Sequence, residues 1–538
     1  MSENKQTQKE IVLIFTLVAI CLILFFFSLG NRALWDIDEG LHSVSSKDMV
    51  LSGDWVTPKY NGEKFYDKPP LHNWLVAISF LIFGFNEFAA RLPAALLGMG
   101  CVLITYLLGK RIFGPAAAFL GSLVLASSVE FFVLSRTVVH DISLAFFITL
   151  ALTLFYLGYE NEKHRRVYFL VGYAALGFAV LAKGPIGILL PAAIIGLFLI
   201  LKKQLRFLKE MQVGWGTLVV IAIAAPWYIL ISIKDPGYVS YFFLKQNIGN
   251  FFSAEARHPG PIYYYIPVLM GGMFPWSTFL PLALFRGIRA PKSANKDGML
   301  FILLWVAVIF VFFSLASSKL GTYILPLFPA AALVVGGFLN DILINPSGDL
   351  DKGLVYSYLP LVIILPLALI YIILFPPANL VAEVGIELKW IYLPAGLLVA
   401  GCFISMGLAV SKNYRAFIGS IAATVTAVLL FSLIFLVPSI EPFRSGKVLA
   451  QKIDKLIEPA ENLVFYLKAR ETFFFYTDRM ATVLKSPRAL REFMASDKRV
   501  YCIFKMDDWQ DVEMLHETMH IVVLEGNKLI ASNRKPDI

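Results

Sequence analysis

The sequence predicts a polytopic α-helical membrane protein with a small α/β domain at its C-terminal end. Of its 538 residues, 58% are hydrophobic and 16% are charged, whereas soluble domains are roughly half apolar and a quarter charged. Apolar runs recur along the chain, each about 17 to 25 residues long, which is enough to cross a hydrocarbon core of about 30 Å. After residue 437 the pattern changes to alternating helix-like and strand-like stretches.

The apolar runs predict about thirteen membrane spans. They lie at 11–29, 89–109, 114–133, 139–158, 167–182, 184–201, 213–233, 263–284, 299–316, 320–340, 354–375, 389–410 and 416–437. The segment 70–85 is also apolar, but it is short and follows a proline, so we predict a partly embedded helix within the loop 30–88. A membrane domain therefore covers 1–437, and a second domain covers 438–538.

Lysines and arginines are distributed unevenly between alternate loops. One set of loops carries two or more each: Lys110 and Arg111, Lys163 to Arg166, Lys202 to Lys209, Arg286 to Lys296, and Lys412 with Arg415. The alternate short loops carry only Arg136, Lys183 and Lys319. Because cytoplasmic loops are enriched in these residues, the pattern predicts a cytoplasmic N-terminus and, with an odd span count, an outer C-terminal domain. The net charge of +9 is explained by these basic loops, so it does not indicate a nucleic-acid partner.

The C-terminal stretch reads as a compact α/β domain of about 100 residues. We predict helices at 444–457, 487–495 and 508–519, and strands at 463–467, 500–504 and 521–524.

The loop after the first span carries the strongest chemical signal. It reads Trp35-Asp36-Ile37-Asp38-Glu39-Gly40, followed by Tyr66-Asp67-Lys68-Pro69-Pro70. Charged groups beside a span are costly unless they face water, a partner charge or a substrate. A carboxylate can accept a proton, and cations can stabilise a phosphate leaving group. The cations predicted on this side of the membrane are Lys68, Arg136, Lys183, Arg257 and Lys319.

These motifs resemble the aminoarabinose-transferase-like lipid-linked glycosyltransferases, which group with the protein mannosyltransferases in the GT-C superfamily. Further matching motifs are Ser52-Gly53-Asp54-Trp55, Ala89-Ala90-Arg91-Leu92-Pro93, Leu181-Ala182-Lys183-Gly184-Pro185, Pro275-Trp276 and Ser318-Lys319-Leu320-Gly321-Thr322-Tyr323. The resemblance covers roughly 1–440. It implies a GT-C-type membrane fold and transfer of a sugar from a polyprenyl phosphate to a lipid or glycan acceptor at the outer surface of a bacterial inner membrane.

The resemblance also assigns roles to residues. It makes Asp38 the principal catalytic carboxylate, with Asp141 a second one and Glu39 a further candidate, and it makes Lys68 a ligand of the donor phosphate. Tyr66 and Tyr323 are candidate substrate contacts.

One departure from the family pattern concerns the residues after Asp-Glu-Gly. Many members have a basic residue and then tyrosine, whereas this chain has Leu41 and His42. His42 could supply a proton or a hydrogen bond in place of the tyrosine.

Structural alternatives remain for several of these residues. Asp38 and Glu39 could form a solvated loop or helix cap. Asp141 could pair with Arg136, and Lys183 could anchor a helix end at the membrane surface.

Two sets of residues raise the question of a metal. Asp67 and His258 could bind a divalent cation, but two ligands are too few to name one, and a hydrogen bond between them is the simpler interpretation. His516-Glu517-Thr518-Met519-His520 matches the H-E-x-x-H pattern of zinc proteases. It runs directly into a strand-like stretch without a further ligand, which favours a surface helix instead.

A transporter or flippase of lipid-linked sugars is the alternative from another functional class. Transporters place their sites near the bilayer midplane, on broken helices of repeated halves. Here the charges collect at one membrane edge and the halves show no repeat, which favours the glycosyltransferase. Lipid A, another envelope glycan and a protein hydroxyl remain open as acceptors, and 4-amino-4-deoxy-L-arabinose is one candidate sugar.

Overall fold

The computed structural model describes residues 2–249, 258–289, 295–346, 348–375, 387–458, 461–477 and 479–535. Within these ranges, ten helices are long and apolar enough to cross a membrane. They are Thr7–Phe26, Glu87–Phe113, His140–Glu160, Arg165–Lys183, Val213–Lys234, Lys296–Leu315, Gly321–Ile344, Asp349–Leu374, Lys389–Val410 and Tyr414–Arg444. The chain is therefore a multi-pass α-helical membrane protein, as predicted.

Each of the other three predicted spans also contains helix, but in a shorter or bent form. Pro115–Ser127 and Ile186–Leu201 have 13 and 16 residues. The run 263–284 forms two helices, Tyr265–Gly272 and Trp276–Ile288, which meet at 118°. Hydropathy thus located every apolar helix, but it does not reveal such bends or breaks, and the count of thirteen spans stays a prediction.

The short helix Pro115–Ser127 packs tightly against the buried helix Phe328–Ile344. A Cβ atom built on Gly336 would lie 2.3 Å from the backbone nitrogen of Gly121. Small residues at a helix interface allow this close approach, which compensates for the lack of a hydrophobic driving force inside a bilayer. These glycines therefore set the packing at the centre of the bundle.

Two helices and a hairpin lie between the first span and Glu87–Phe113. The helices are Asp38–Ser52 and Leu71–Phe83, and the second confirms the helix predicted at 70–85. Strands β1 (Lys59–Tyr60) and β2 (Glu63–Lys64) pair antiparallel across a two-residue turn.

The part of the chain after Arg444, called the C-terminal domain below, contains a five-stranded mixed sheet. Its strands are β3 (Asn462–Tyr466), β4 (Thr482–Leu484), β5 (Val500–Lys505), β6 (His520–Glu525) and β7 (Lys528–Ser532). They lie in the order β4-β3-β5-β7-β6. Strand β3 pairs parallel with β4 and β5, while β7 pairs antiparallel with β5 and β6. The helices are Lys447–Leu456, Glu471–Tyr476, Pro487–Met494 and Met506–Gln510, with a 3-10 helix at Glu513–Thr518. The three predicted strands are confirmed.

Two details of this region differ from the prediction. The last membrane helix continues to Arg444, beyond the predicted boundary at 437. The helix predicted at 508–519 was wrong, because that stretch divides into the short helix Met506–Gln510 and the 3-10 helix Glu513–Thr518. Helix-like periodicity in a short segment does not distinguish one continuous helix from two separate turns.

Candidate active site

Asp38 is the first residue of the helix Asp38–Ser52, and its side chain is exposed. Carboxylates in the first turn of a helix interact favourably with the helix dipole. The helix follows the loop from the first span, so Asp38 lies at the edge of the membrane domain. The sequence-predicted principal carboxylate is thus accessible to a substrate.

Glu39 has a different environment from its neighbour. Its carboxylate is buried and forms a two-point ion pair with Arg91, at 2.8 Å from Nε and 2.7 Å from Nη2. It also accepts hydrogen bonds from the backbone of Trp35 and Val138. Such paired contacts fix geometry strongly. Glu39 therefore holds the start of the Asp38 helix in place, which makes it a positioning residue in this arrangement.

Arg91 is a further residue of this site, and the motif that contains it does not indicate its role. Its guanidinium is buried, and besides Glu39 it donates to the carbonyl oxygens of Leu29, Arg32 and Ala33. Because a lone arginine at an apolar span needs a partner, its position in the sequence could have predicted an acidic residue nearby.

Lys68 lies near the end of the loop that follows strand β2 and forms a 3.0 Å ion pair with Asp67. Both side chains are about one quarter exposed, at 24% each. Pro69 and Pro70 follow directly and restrict the backbone. The lysine is thus held in a rigid segment and remains accessible to an anion.

Asp141 and Lys183 form an ion pair between two membrane helices. The Lys183 ammonium also lies 4.2 Å from the centre of the Tyr323 ring, which brings a third membrane segment to the same place. The proposed pairing of Asp141 with Arg136 was therefore wrong. Lys183 does more than anchor a helix end, because it joins Asp141 and Tyr323 in one cluster.

Arg136 is directed away from this cluster. It donates to the carbonyl oxygens of Leu24 and Phe27, each at 2.7 Å. These carbonyls belong to the C-terminal end of the first membrane helix, where such groups lack helical partners. Arg136 therefore stabilises a helix end, and its contact with a donor phosphate stays a prediction.

Lys319 is buried and donates to the carbonyl oxygen of Ala316. Its backbone N–H donates to the carbonyl oxygen of His258 at 2.8 Å. The loops that contain His258 and Lys319 are thus adjacent. Arg257 lies outside the described residues.

The hydroxyl of Tyr66 donates to Asp235 at 2.9 Å, and Lys64 pairs with the same carboxylate at 2.7 Å. This contact joins the segment after strand β2 to the residue that follows the helix Val213–Lys234. Tyr66 therefore already has a protein partner, and its contact with substrate stays a prediction.

Three buried histidines, His42, His72 and His140, lie close to one another. The ring of His140 is 4.3 Å from that of His42 and 5.1 Å from that of His72, measured between centroids. Burial lowers the pKa of His42, although the carboxylates of Asp38, Asp67 and Asp141 oppose the shift. His42 is therefore neutral at neutral pH and can act as a hydrogen-bonding group, but not as a cation for phosphate.

These electrostatic contacts show which charges share one site. The charges of Asp38, Asp67, Lys68 and Asp141 all act on the imidazole of His42. The exposed Asp38 and the partly buried Asp67, Lys68 and Asp141 thus lie within electrostatic range of one imidazole. Such an arrangement can accept a proton on one side and stabilise a phosphate on the other.

The described residues offer little support for a metal ion. Among them, no three histidine, cysteine, aspartate or glutamate side chains lie close enough to hold one. Asp67 pairs with Lys68, and the side chain of His258 is exposed. A divalent cation on Asp67 and His258 therefore stays a prediction, and the described residues offer no third ligand for it.

The H-E-x-x-H segment does not form a zinc-binding helix. His516 belongs to the 3-10 helix Glu513–Thr518, stacks on Trp509 at 4.0 Å between ring centroids and bonds to its carbonyl oxygen. His520 begins strand β6. The two imidazoles thus do not share the face of one helix, which the zinc site of a metalloprotease requires.

Comparison with known proteins confirms the resemblance seen in the sequence. A family model described as dolichyl-phosphate-mannose-protein mannosyltransferase matches residues 67–230. A protein of Aquifex aeolicus described only as uncharacterized is 34% identical over 329 residues, which are 61% of this chain and 64% of that protein. The undecaprenyl phosphate-alpha-4-amino-4-deoxy-L-arabinose arabinosyl transferase of Edwardsiella ictaluri is 30% identical over 64% of this chain and 62% of its own length. The match thus spans less than two thirds of either relative.

Solved structures share the fold. ArnT from Cupriavidus metallidurans, solved with undecaprenyl phosphate bound, superposes with a TM-score of 0.81 at 24% identity and covers 97% of this chain and 98% of its own. The archaeal oligosaccharyltransferase AglB from Archaeoglobus fulgidus gives a TM-score of 0.54 at 13% identity, over 99% of this chain and 75% of its own. The GT-C-type fold implied by the sequence motifs is therefore confirmed.

Proposed function

We propose that this chain, which has the fold of ArnT and resembles the arabinosyl transferases in sequence, is a glycosyltransferase that uses a polyprenyl-phosphate sugar donor. The donor is undecaprenyl phosphate carrying a sugar, with 4-amino-4-deoxy-L-arabinose as the leading candidate. The acceptor is lipid A or another envelope glycan on the outer face of the inner membrane. The observation that carries the proposal is the grouping of charges around His42: the exposed Asp38, the pair of Asp67 and Lys68, and Asp141 with its partner Lys183.

The chemistry follows from these groups. An acceptor oxygen forms a bond to the anomeric carbon of the sugar while the bond from that carbon to the phosphate oxygen breaks. The acceptor proton passes to the Asp38 carboxylate, and the lipid phosphate leaves with the electron pair. Lys68 stabilises the developing phosphate charge, because a charge-assisted contact strengthens as negative charge accumulates. Asp141 orients Lys183, which supplies a second cation.

A second candidate acceptor comes from the mannosyltransferase family model, which matches residues 67–230. That match favours a protein hydroxyl as the second candidate acceptor. Both acceptors present a nucleophilic oxygen to the same carboxylate, so the site accommodates either reaction.

Mass spectrometry of the cell envelope tests the substrate. Lipid A, envelope glycans and membrane proteins from cells with and without the gene should be compared, together with their polyprenyl-phosphate sugars. We expect one sugar modification of lipid A or a glycan to disappear in the deletion strain while its lipid-linked donor accumulates. An unchanged set of sugar modifications and donors would contradict the proposal. Loss of a protein-linked sugar would instead identify a protein hydroxyl as the acceptor.

A further inference from the structure

The loop that leads to Asp38 is held by the C-terminal domain. Oδ1 of Asp36 accepts hydrogen bonds from the backbone N–H of Thr472 at 2.8 Å and from its hydroxyl at 2.7 Å. Arg470 lies 3.8 Å from the other oxygen of the same carboxylate. Asp36 precedes Asp38 by only two residues, so loss of this contact would move the start of the helix Asp38–Ser52.

The hydroxyl of Thr472 joins three parts of the chain. While it donates to Asp36, it accepts a 2.7 Å hydrogen bond from the backbone N–H of Gly446, just after the last membrane helix. The backbone N–H of Asp36 in turn donates to the carbonyl oxygen of Arg444 at 2.8 Å. This hydroxyl is buried and uses both its donor and its acceptor capacity, which a methyl group cannot replace.

Gly40 allows the helix Asp38–Ser52 to approach the backbone of Glu471 and Thr472 closely. A Cβ atom at this position would lie 2.6 Å from the backbone nitrogen of Thr472 and 2.7 Å from the carbonyl carbon of Glu471. Glycine inside a helix costs roughly 1 kcal/mol relative to alanine, so it needs a compensating reason. Contact between the Asp38 helix and the helix Glu471–Tyr476 provides one.

Further contacts hold the preceding turn. The backbone N–H of Leu34 donates to the hydroxyl of Tyr476 at 2.7 Å, and that hydroxyl donates to Glu87 at 3.0 Å. Lys447 pairs with Glu87 at 2.5 Å. The loop before Asp38 is thus bonded to the C-terminal domain at both its start and its end.

We propose that Thr472 is a positioning residue for Asp38, and that the C-terminal domain therefore completes the active site. This inference rests on the proposed function. Lys68 and Lys183, the proposed donor-phosphate ligands, lie in other segments and pair with Asp67 and Asp141. Release of the Asp36 contact should therefore lower the rate of sugar transfer with little effect on donor binding, because misplacement of a reacting group reduces the rate of the chemical step.

The test compares full-length Thr472→Val and Thr472→Ser with the parent in steady-state transfer from a polyprenyl-phosphate sugar. We expect Thr472→Val to reduce kcat by about tenfold to a hundredfold while the KM for the donor changes less than about twofold. Thr472→Ser keeps the hydroxyl and should retain most of kcat. Thr482→Val is a matched control, because Thr482 is exposed on strand β4. It should behave as the parent.

Gly40→Ala provides an independent variant that separates the same two helices, and it should give the same loss of kcat. Thermal unfolding and protease resistance identify variants whose C-terminal domain has unfolded. A folded Thr472→Val variant with parental kcat, or a Thr472→Ser variant no better than Thr472→Val, would overturn the inference. If Asp38→Asn itself transfers sugar at the parental rate, the proposed catalytic role of Asp38 fails instead.

Discussion

At the scale of single residues, the adjacent carboxylates of Asp38 and Glu39 have different environments. The sequence places both in one motif, and residue type alone does not distinguish them. The structure separates them through Arg91, a residue 52 positions further along the chain, which takes Glu39 into a buried pair. Asp38 could therefore be predicted as a site residue from the sequence, whereas the role of Glu39 depended on a long-range contact.

The first prediction concerns this buried pair. Arg91→Met should destabilise the protein by about 3–5 kcal/mol, since it leaves a buried carboxylate without its partner. The double variant with Glu39→Gln should lose less than the sum of the two single variants. Thermal unfolding in detergent measures both effects. Additive losses would show that the two side chains do not depend on each other.

Lys68 carries the second prediction. Lys68→Ala removes a charge-assisted phosphate contact worth about 1.5–3 kcal/mol, which corresponds to roughly ten- to a hundredfold weaker donor binding. Lys64→Ala is the control, because Lys64 is exposed in the same loop and pairs with Asp235. Donor titration of both variants should show the loss only for Lys68. Equal affinities in the two variants would remove Lys68 from the donor site.

At the scale of elements, the short helix Glu471–Tyr476 was missing from the sequence prediction, although it contacts the Asp38 helix. Its six residues are too few for a helical period, and its partner Asp36 lies 436 positions earlier. Strands β3, β5 and β6 were predicted because each is an apolar run bounded by polar residues. Local patterns thus identified elements, but not the contacts between them.

Glu471 makes this interface sensitive to pH. Burial, together with the charge of Asp36, raises its pKa from 4.5 to about 7, with Arg470 opposing and Asp38 adding to the shift. Because the unfolded chain loses this proton first, the folded state loses stability as pH rises from about 4.5 to about 7. Glu471→Gln should therefore gain on the order of 1–3 kcal/mol at pH 8 and much less at pH 5.

Thermal unfolding of the parent and Glu471→Gln at both pH values measures this difference. Glu492→Gln, on the exposed face of Pro487–Met494, is the matched control and should show no such pH dependence. An equal gain at pH 5 and pH 8 would show that ionisation of Glu471 does not oppose packing of the helix.

At the scale of the whole molecule, hydropathy predicted the membrane helices well, because each must present an apolar surface to lipid. It did not predict which of them are short, as at Pro115–Ser127, or bent, as between Gly272 and Trp276. Those features depend on packing between segments distant in sequence. For the same reason, the charge pattern predicted that the charged loops share one face, but it did not predict that Arg136 caps the end of the first helix.

The charged loops predict the orientation of the molecule in the membrane. A reporter that is active only outside the cytoplasm should be active when fused after Ile538 and silent when fused near Lys296, because lysine and arginine favour cytoplasmic loops. Alkaline phosphatase activity and green fluorescence measure the two sides independently. The opposite pattern would move Asp38 to the cytoplasmic face and exclude a donor presented at the outer surface.

The central claim, that Asp38 is the catalytic carboxylate of a lipid-linked sugar transfer, is tested most directly by the transfer rate of Asp38→Asn. Asp48→Asn is its matched control, since Asp48 lies on the same helix and undergoes the same change of charge. We predict that Asp38→Asn lowers the rate at least about a hundredfold, in line with typical acid–base contributions, and retains donor binding. Asp48→Asn should remain close to the parent. Parental transfer by a folded Asp38→Asn variant would contradict the account.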